Sequence, residues 1–258
     1  MRVTFVGVGE AFDEREPNVS LFVEGRGVKG RATALLDCGF TAAAAFFACP
    51  GIAAAEREAG PDVLWISHFH GDHFFGLPYL LARWHEAGRD RPLAVVGGPG
   101  ARGKVAAAVD LAYPNLRAGL HFALDIREVV PGGDFDLAGL SGRAAPTGHG
   151  APCLALRLTD GERALYYSGD GPPTPGCREL ARGCDLIVQE AYGLSPGIPG
   201  HGSVEEALSL AREAGAGALA VVHLRRELRR ERGQDIRRLL TAAGYPSGLP
   251  EPGAVIVP

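Results

Sequence analysis

His68-Phe69-His70-Gly71-Asp72-His73 places four side chains able to bind a metal within six residues. The stretch before it, Val63-Leu64-Trp65-Ile66-Ser67, is an apolar run of strand length, and Phe74–Ala87 after it reads as a helix. The cluster therefore sits at the carboxyl end of a strand. In extended chain, residues two apart point to the same side, so His68 and His70 can aim at one metal. Gly71 permits a sharp turn that sends Asp72 and His73 toward a neighbouring point. Clustered imidazoles and a carboxylate are poor core residues, so a packing role does not explain them. A metal needs more ligands than this loop offers, and the missing ones should come from the ends of other strands. Three positions qualify. His149 lies in Thr147-Gly148-His149-Gly150 before a strand, Asp170 in Ser168-Gly169-Asp170-Gly171 after one, and His223 closes the apolar run Ala218–Val222.

Working outward, strand-like runs fall at Val3–Val8, Ser20–Glu24, Ala34–Asp37, Val63–Ser67, Leu93–Gly97, Ile126–Val130, Leu154–Thr159, Ala164–Ser168, Leu186–Gln189, Ala218–Leu224 and Ala254–Val257. Ser203 and Glu206 form a capping box before Ala207, Leu208, Leu210 and Ala211, and Gly215 stops that helix. Clustered strands with interspersed helices suit two sheets with helices on their outer faces. At 258 residues, with no evident linker or repeat, we expect one domain spanning 1–258.

The composition, 46% hydrophobic and 22% charged, is that of a globular protein rather than a disordered one. A formal charge of −4 gives no global attraction to nucleic acid, so an anionic substrate must be drawn by local charge. Cys38, Cys49, Cys153, Cys177 and Cys184 are scattered and odd in number, which argues for reduced thiols over a disulfide framework or a cysteine zinc site. Met1-Arg-Val-Thr-Phe-Val-Gly7 enters a strand pattern with no apolar leader, so a cytoplasmic location is expected. Phe40–Ala55 is too short to span a membrane and is cut by Pro50 and Gly51; we expect a packed helix and no membrane partner.

The order of these motifs resembles the metallo-β-lactamase superfamily, and within it the ribonuclease Z-like branch. HxHGDH at 68–73 is followed by His149, by Ser168-Gly169-Asp170, by Glu190-Ala191, by Gly200-His201-Gly202-Ser203 opening a helix, and by Val222-His223. The resemblance covers nearly the whole chain. It implies an α/β fold, the four-layer αββα sandwich, with the site at one edge of the two sheets. It also implies two divalent ions, zinc above all with manganese or iron(II) as substitutes. By it, His68, His70 and His149 hold one ion, Asp72, His73 and His223 the other, and Asp170 bridges them. His201 would lie beside the transferred phosphoryl, and Glu190 would contact His201. Asp72 could also orient the nucleophile.

Two ions bring +4, Asp72 and Asp170 remove two charges and a bridging hydroxide one, leaving about +1 for a phosphodiester monoanion to neutralise. The expected activity is thus hydrolysis of a small or nucleotide phosphodiester by attack of that hydroxide. The chain departs from the tRNA-processing members, which insert a long exosite arm between the isolated histidine and the bridging aspartate. Only about twenty residues separate His149 from Asp170, room for two short strands and a turn. The His-Glu-Ala-Thr signature of the branch reads Gln189-Glu190-Ala191-Tyr192. Both departures argue against tRNA as a partner. The armless cyclic phosphodiesterases resemble the layout more closely, although their N-terminal cysteine cluster is missing. A homodimer is expected by analogy alone.

Two other functions share the first motif. Thioester, lactone or β-lactam hydrolysis is one; glyoxalase II-like relatives generally lack the His201 motif, and some lactamases carry cysteine at the Asp170 position. A non-hydrolytic metal protein is the other; the diiron redox branch typically has Glu where His70 stands, and a relic would have been free to lose ligands.

Three further features have simpler readings. Gly98-Pro-Gly-Ala-Arg-Gly103-Lys104 mimics a phosphate-binding loop, but Val105 stands where Ser or Thr would bind magnesium, so no nucleotide is expected there. Arg225-Arg226-Glu227-Leu228-Arg229-Arg230-Glu231-Arg232 reads as a solvated helix face, with phosphate steering as the second reading. His85 and His121 have no motif around them and are taken as structural.

Overall fold

The structure is a computed structural model that describes residues 1–28 and 30–258. Its strands are β1 (Arg2–Gly7), β2 (Ser20–Gly27), β3 (Gly30–Leu36), β4 (Val63–Ile66), β5 (Leu93–Gly97), β6 (Leu124–Glu128), β7 (Asp134–Leu137), β8 (Leu140–Pro146), β9 (Leu154–Thr159), β10 (Ala164–Tyr167), β11 (Leu186–Glu190), β12 (Ala218–Val222), β13 (Ser247–Gly248) and β14 (Val255–Ile256). Its helices are α1 (Ala42–Ala48), α2 (Ala54–Ala59), α3 (Gly71–Phe74), α4 (Leu77–Glu86), α5 (Ala101–Ala112), α6 (Leu116–Gly119), α7 (Pro175–Ala181), α8 (Val204–Ala214) and α9 (Arg226–Thr241).

The strands form two sheets, ordered β14-β1-β2-β3-β4-β5-β6 and β13-β12-β11-β10-β9-β8-β7. In each, one half is antiparallel and the other parallel: β3 to β6 run together in the first, β10 to β13 in the second. β1 and β8 are each two antiparallel steps from a parallel strand, so they point the same way as it does. The carboxyl ends of β1, β3, β4 and β5, and of β8, β10, β11 and β12, are thereby gathered at one edge, where open α/β sheets place their ligand sites.

Period-two alternation within apolar strands builds the layers. In β4, Val63 and Trp65 face a core shared by the two sheets, together with Phe5, Leu21, Leu156, Leu165 and Val188. Leu64 and Ile66 face outward to Phe46, Leu80 and Trp84 of α1 and α4 and to Val105 of α5. The outer face of the second sheet, with Tyr166, Ile187 and Val221, is covered by Leu180 of α7, Leu210 of α8 and Ile236 of α9. The result is the four-layer αββα sandwich.

Three local expectations need correction. The helix expected over Phe74–Ala87 is α4, which begins later, at Leu77; the single turn α3 before it belongs to the histidine motif, and between them the chain at Gly76 lies against the Cys38–Gly39 turn, where a Cβ would stand 2.3 Å from the Gly39 carbonyl oxygen. The helix expected over Phe40–Ala55 is also two short ones, with Pro50 and Gly51 between them. The hairpin β7–β8 was not anticipated, since Leu140-Ser-Gly-Arg-Ala-Ala-Pro146 carries few β-favouring residues. Cross-strand packing supplies what propensity lacks. Phe135 pairs with Gly142, covers its bare backbone, and stacks on Trp65 with centroids 5.6 Å apart and planes 4° from parallel. All five cysteines are buried and unpaired. No helix among the described residues is long and apolar enough to cross a membrane.

Candidate metal centre

The loops at that edge bring His68, His70, Asp72, His73, His149, Asp170 and His223 together. His68 and His70 follow β4, Asp72 and His73 lie in the single turn of α3, His149 follows β8, Asp170 follows β10 and His223 ends β12. Glycine makes two close approaches possible. A Cβ at Gly39 would lie 2.0 Å from the Asp72 carbonyl oxygen, and one at Gly171 would lie 2.5 Å from the His149 nitrogen. Asp37 and His223 adopt left-handed backbone, at φ of 59° and 60°. That costs a non-glycine residue about 1–2 kcal/mol. Such strain is common where surroundings over-determine a functional geometry.

The side chains form two groups that share Asp170: His68, His70, His149 and Asp170, and Asp72, His73, Asp170 and His223, the candidate ligand atoms of each lying within 4.8 Å of one another. His73 Nε2 is 3.2 Å from Asp72 Oδ2 and 3.3 Å from Asp170 Oδ1. His223 Nε2 is 3.4 Å and 3.6 Å from the same two oxygens. His149 Nε2 is 3.2 Å from His70 Nδ1, and His68 Nε2 is 3.8 Å from Asp170 Oδ2. Ligand atoms about 2.0–2.1 Å from a tetrahedral ion are separated by about 3.3 Å, so these spacings fit the edges of a coordination polyhedron. His68 Nε2, His73 Nε2 and Asp170 Oδ1 are buried with no hydrogen-bond partner. Orphaned polar atoms of that kind are costly, and an ion in each of the two groups would satisfy all three. The donor set, imidazole and carboxylate, suits zinc and its neighbours.

The opposite ring nitrogens are held from behind. His73 Nδ1 lies 2.8 Å from Asp37 Oδ2, His68 Nδ1 3.1 Å from Ser67 Oγ, and His149 Nδ1 2.8 Å from the Gly200 carbonyl oxygen. Asp37 is wholly buried and also accepts from the Ser67 amide at 2.7 Å, the Ser67 hydroxyl at 2.6 Å and the Tyr167 hydroxyl at 2.6 Å. Sequence reasoning missed it. Its only signal was a lone acid at the end of the expected strand Ala34–Asp37.

Charge is arranged in the same sense. Burial and the neighbouring His73 keep the His68 imidazole neutral, its pKa pushed down to about 2. Burial opposes ionisation of Asp72 and Asp170, but His223 and His73 outweigh it and hold both carboxyls well below the ordinary range. Burial likewise disfavours His73⁺ and His223⁺. The facing carboxylates win: Asp170 first, then Asp37 and Asp72, raise His73 well above its ordinary value, and Asp170 with Asp72 lift His223 to about 9. Both imidazoles therefore carry a proton that an entering ion must displace. We predict that zinc affinity, read by competition with a chromophoric chelator, climbs between about pH 6 and pH 9; an affinity flat over that window would contradict it.

A cavity of about 360 Å³ opens above the cluster, with His149, Asp170, His201 and His223 at its floor and Phe12, Phe40 and Tyr192 around it. The His201 ring stacks on Tyr192, centroids 4.7 Å apart and planes 28° apart. Its Nδ1 is 3.5 Å from Glu190 Oε1. Glu190, fully buried, is engaged chiefly by backbone: Oε1 accepts from the Gly171 amide at 2.8 Å and the Gly202 amide at 2.6 Å, and Oε2 from the Tyr192 amide at 3.0 Å. It thus ties the loop carrying Asp170 to the loop carrying His201. Arg226 and Arg230 of α9 pair with acids of the loop after β1, at 2.8 Å to Glu10 and 3.0 Å to Asp13, and Arg229 is buried beside Glu251. Most of the arginine run is exposed or half-exposed, as a solvated face would be, but Arg229 is buried, and Arg226 and Arg230 are ion-paired to the loop after β1.

With this geometry in place, similarity to known proteins is decisive. The β-lactamase superfamily domain matches residues 33–224. The chain belongs to the β-lactamase superfamily. A curated relative, the ribonuclease Z of Mycobacterium sp. (strain KMS), is 30% identical over 249 residues, covering 86% of this chain and 84% of its own. Among solved structures, the metallo-β-lactamase fold protein YhfI from Bacillus subtilis superposes with a TM-score of 0.79 at 22% identity, over 99% of both chains. A diphosphatase of the PhnP family superposes with a TM-score of 0.73 at 18% identity, over 99% of this chain and 97% of its own. These members of the superfamily share the fold, and the relatives named for an activity are hydrolases.

Proposed function

We propose that the chain is one domain acting as a dinuclear metal-dependent phosphodiesterase on a small or nucleotide diester. The observation that carries this reading is the pair of ligand groups sharing Asp170 beneath a cavity that His201 also lines. His68, His70 and His149 would hold one ion, Asp72, His73 and His223 the second, and Asp170 both, zinc being the expected metal. Two such ions would supply an activated water and stabilise charge on the phosphoryl oxygens. Asp72 would also orient the attacking water. His201, with Nδ1 toward Glu190, keeps Nε2 for the departing oxygen, to which it would pass a proton as the phosphorus–oxygen bond breaks. Glu190 acts as a positioning residue through its backbone partners.

A small substrate is favoured by the segment between His149 and Asp170, where β9 pairs with β10 in a tight antiparallel hairpin and leaves no arm to grip an RNA. The relatives named ribonuclease Z and diphosphatase both cleave phosphorus–oxygen bonds, which supports phosphoryl chemistry over thioester or lactone hydrolysis. Five buried free thiols suit a reducing compartment such as the cytoplasm. The test is hydrolysis of bis(p-nitrophenyl) phosphate beside a thioester and a lactone by zinc-loaded protein. Preference for the diester supports the reading; cleavage of the thioester or lactone alone would overturn it. We further predict that His201→Ala lowers diester turnover by roughly 10²–10⁴-fold while both ions stay bound. An unchanged rate, measured beside the metal content, would remove His201 from the chemistry.

A further inference from the structure

The phosphate-loop lookalike ends at Lys104, and that residue does not face a nucleotide loop. It lies in α5 on the wall of a second cavity, about 490 Å³, lined by Phe69, Phe74, Phe75, Ala107, Leu111 and Pro152 as well as by Lys104 itself. His70 lines both this groove and the cavity above the metal cluster, so the two are adjacent, with one imidazole on a wall of each. Phe75 and Leu111 are exposed, the latter by 87%, although large apolar side chains gain by burial. Lys104 Nζ sits 4.2 Å from the centroid of the Phe69 ring, and no carboxylate pairs with it among the described residues. An apolar trough therefore lies beside the metal cluster, with an uncompensated cation on its side.

We propose that this groove binds the organic arm of the substrate, an aryl or alkyl substituent on an anion whose phosphoryl group sits at the metal cluster. This rests on the phosphodiesterase reading for the anionic end, and on the groove alone for the arm. Volume suits an arm of drug-like size. Chemistry suits an apolar one: apart from His70 and Lys104 the walls offer no polar side chain, so a strongly hydrogen-bonding group would be desolvated without a partner. Lys104 adds attraction for the negative charge while its methylene stem covers apolar surface.

The test compares binding of methylphosphonate and 4-phenylbutylphosphonate to zinc-loaded protein by calorimetry, with bis(p-nitrophenyl) phosphate turnover read on the same preparations. The phenylbutyl ligand should bind at least about tenfold more tightly, since even partial burial of its hydrocarbon is worth more than 1.4 kcal/mol. Ala107→Trp, at an exposed position of α5, fills the groove and should abolish that preference while leaving methylphosphonate binding and the fold unchanged. Leu111→Ala should reduce the preference without filling anything. Equal binding of the two ligands, binding of neither, or a preference that survives Ala107→Trp overturns the proposal. A preference that Ala107→Trp removes, in protein that turns over no diester, would uphold the groove and overturn the phosphodiesterase reading instead.

Discussion

Asp170→Ala is expected to abolish diester turnover, by at least about 10³-fold, and to leave the protein unable to hold two ions at once. Asp170 belongs to both ligand groups, and its two oxygens face different histidines: Oδ2 faces His68, Oδ1 faces His73 and His223. Removing it takes a ligand from each ion and the counter-charge from His73 and His223, which it is the largest influence in raising. The remaining ligands then carry one negative charge fewer to offset two cations, and a water cannot be set between ions that are not both present. Zinc stoichiometry by mass spectrometry of dialysed protein, beside turnover, checks this. Two ions retained with full activity would remove Asp170 from the bridging role.

Asp37→Asn should weaken zinc binding by about 10–100-fold while the fold persists, the magnitude usual for a residue that orients a metal-binding histidine. One buried carboxylate here faces four donors, from His73, Tyr167 and twice from Ser67. An amide brings its own N–H groups into that space, so at least one donor pair must oppose, and His73 loses the acceptor that fixes its ring. Asparagine tolerates the left-handed backbone at this position, which separates the electronic effect from backbone strain. Asp37→Ala goes further. Leaving the donors unpaired in the interior should cost about 3–5 kcal/mol of stability in urea unfolding. Zinc affinity unchanged in the asparagine variant would show that Asp37 serves the fold and not the metal.

How far the chain could be read without coordinates depends on what constrains each residue. The cluster at 68–73 was legible because metal-binding side chains are chemically conspicuous at a strand end, and His149, Asp170 and His223 followed from the demand for more ligands. Most strands were legible from apolar runs such as Val63–Ile66 that both core layers require. Asp37 was not, since a single aspartate after a strand has the same local appearance whether it caps a turn or carries a hydrogen-bond network. Strand β8 was missed because what stabilises it is Phe135 laid over Gly142 from the neighbouring strand, a contact invisible in local propensity. That omission also hid why His149 is where it is: it leaves the carboxyl end of β8, beside the loops from β4 and β10. The partners of the α9 arginines were hidden for a similar reason, Glu10 and Asp13 lying more than two hundred residues away in sequence.

The central claim is that one aspartate joins two ions in a single site. It is tested most directly by anomalous scattering at the zinc edge from crystals of the zinc-loaded protein. The account predicts two peaks about 3.5–4 Å apart, one among His68, His70 and His149, the other among Asp72, His73 and His223, with Asp170 between them. A single peak at saturating zinc, or peaks away from Asp170, would contradict it.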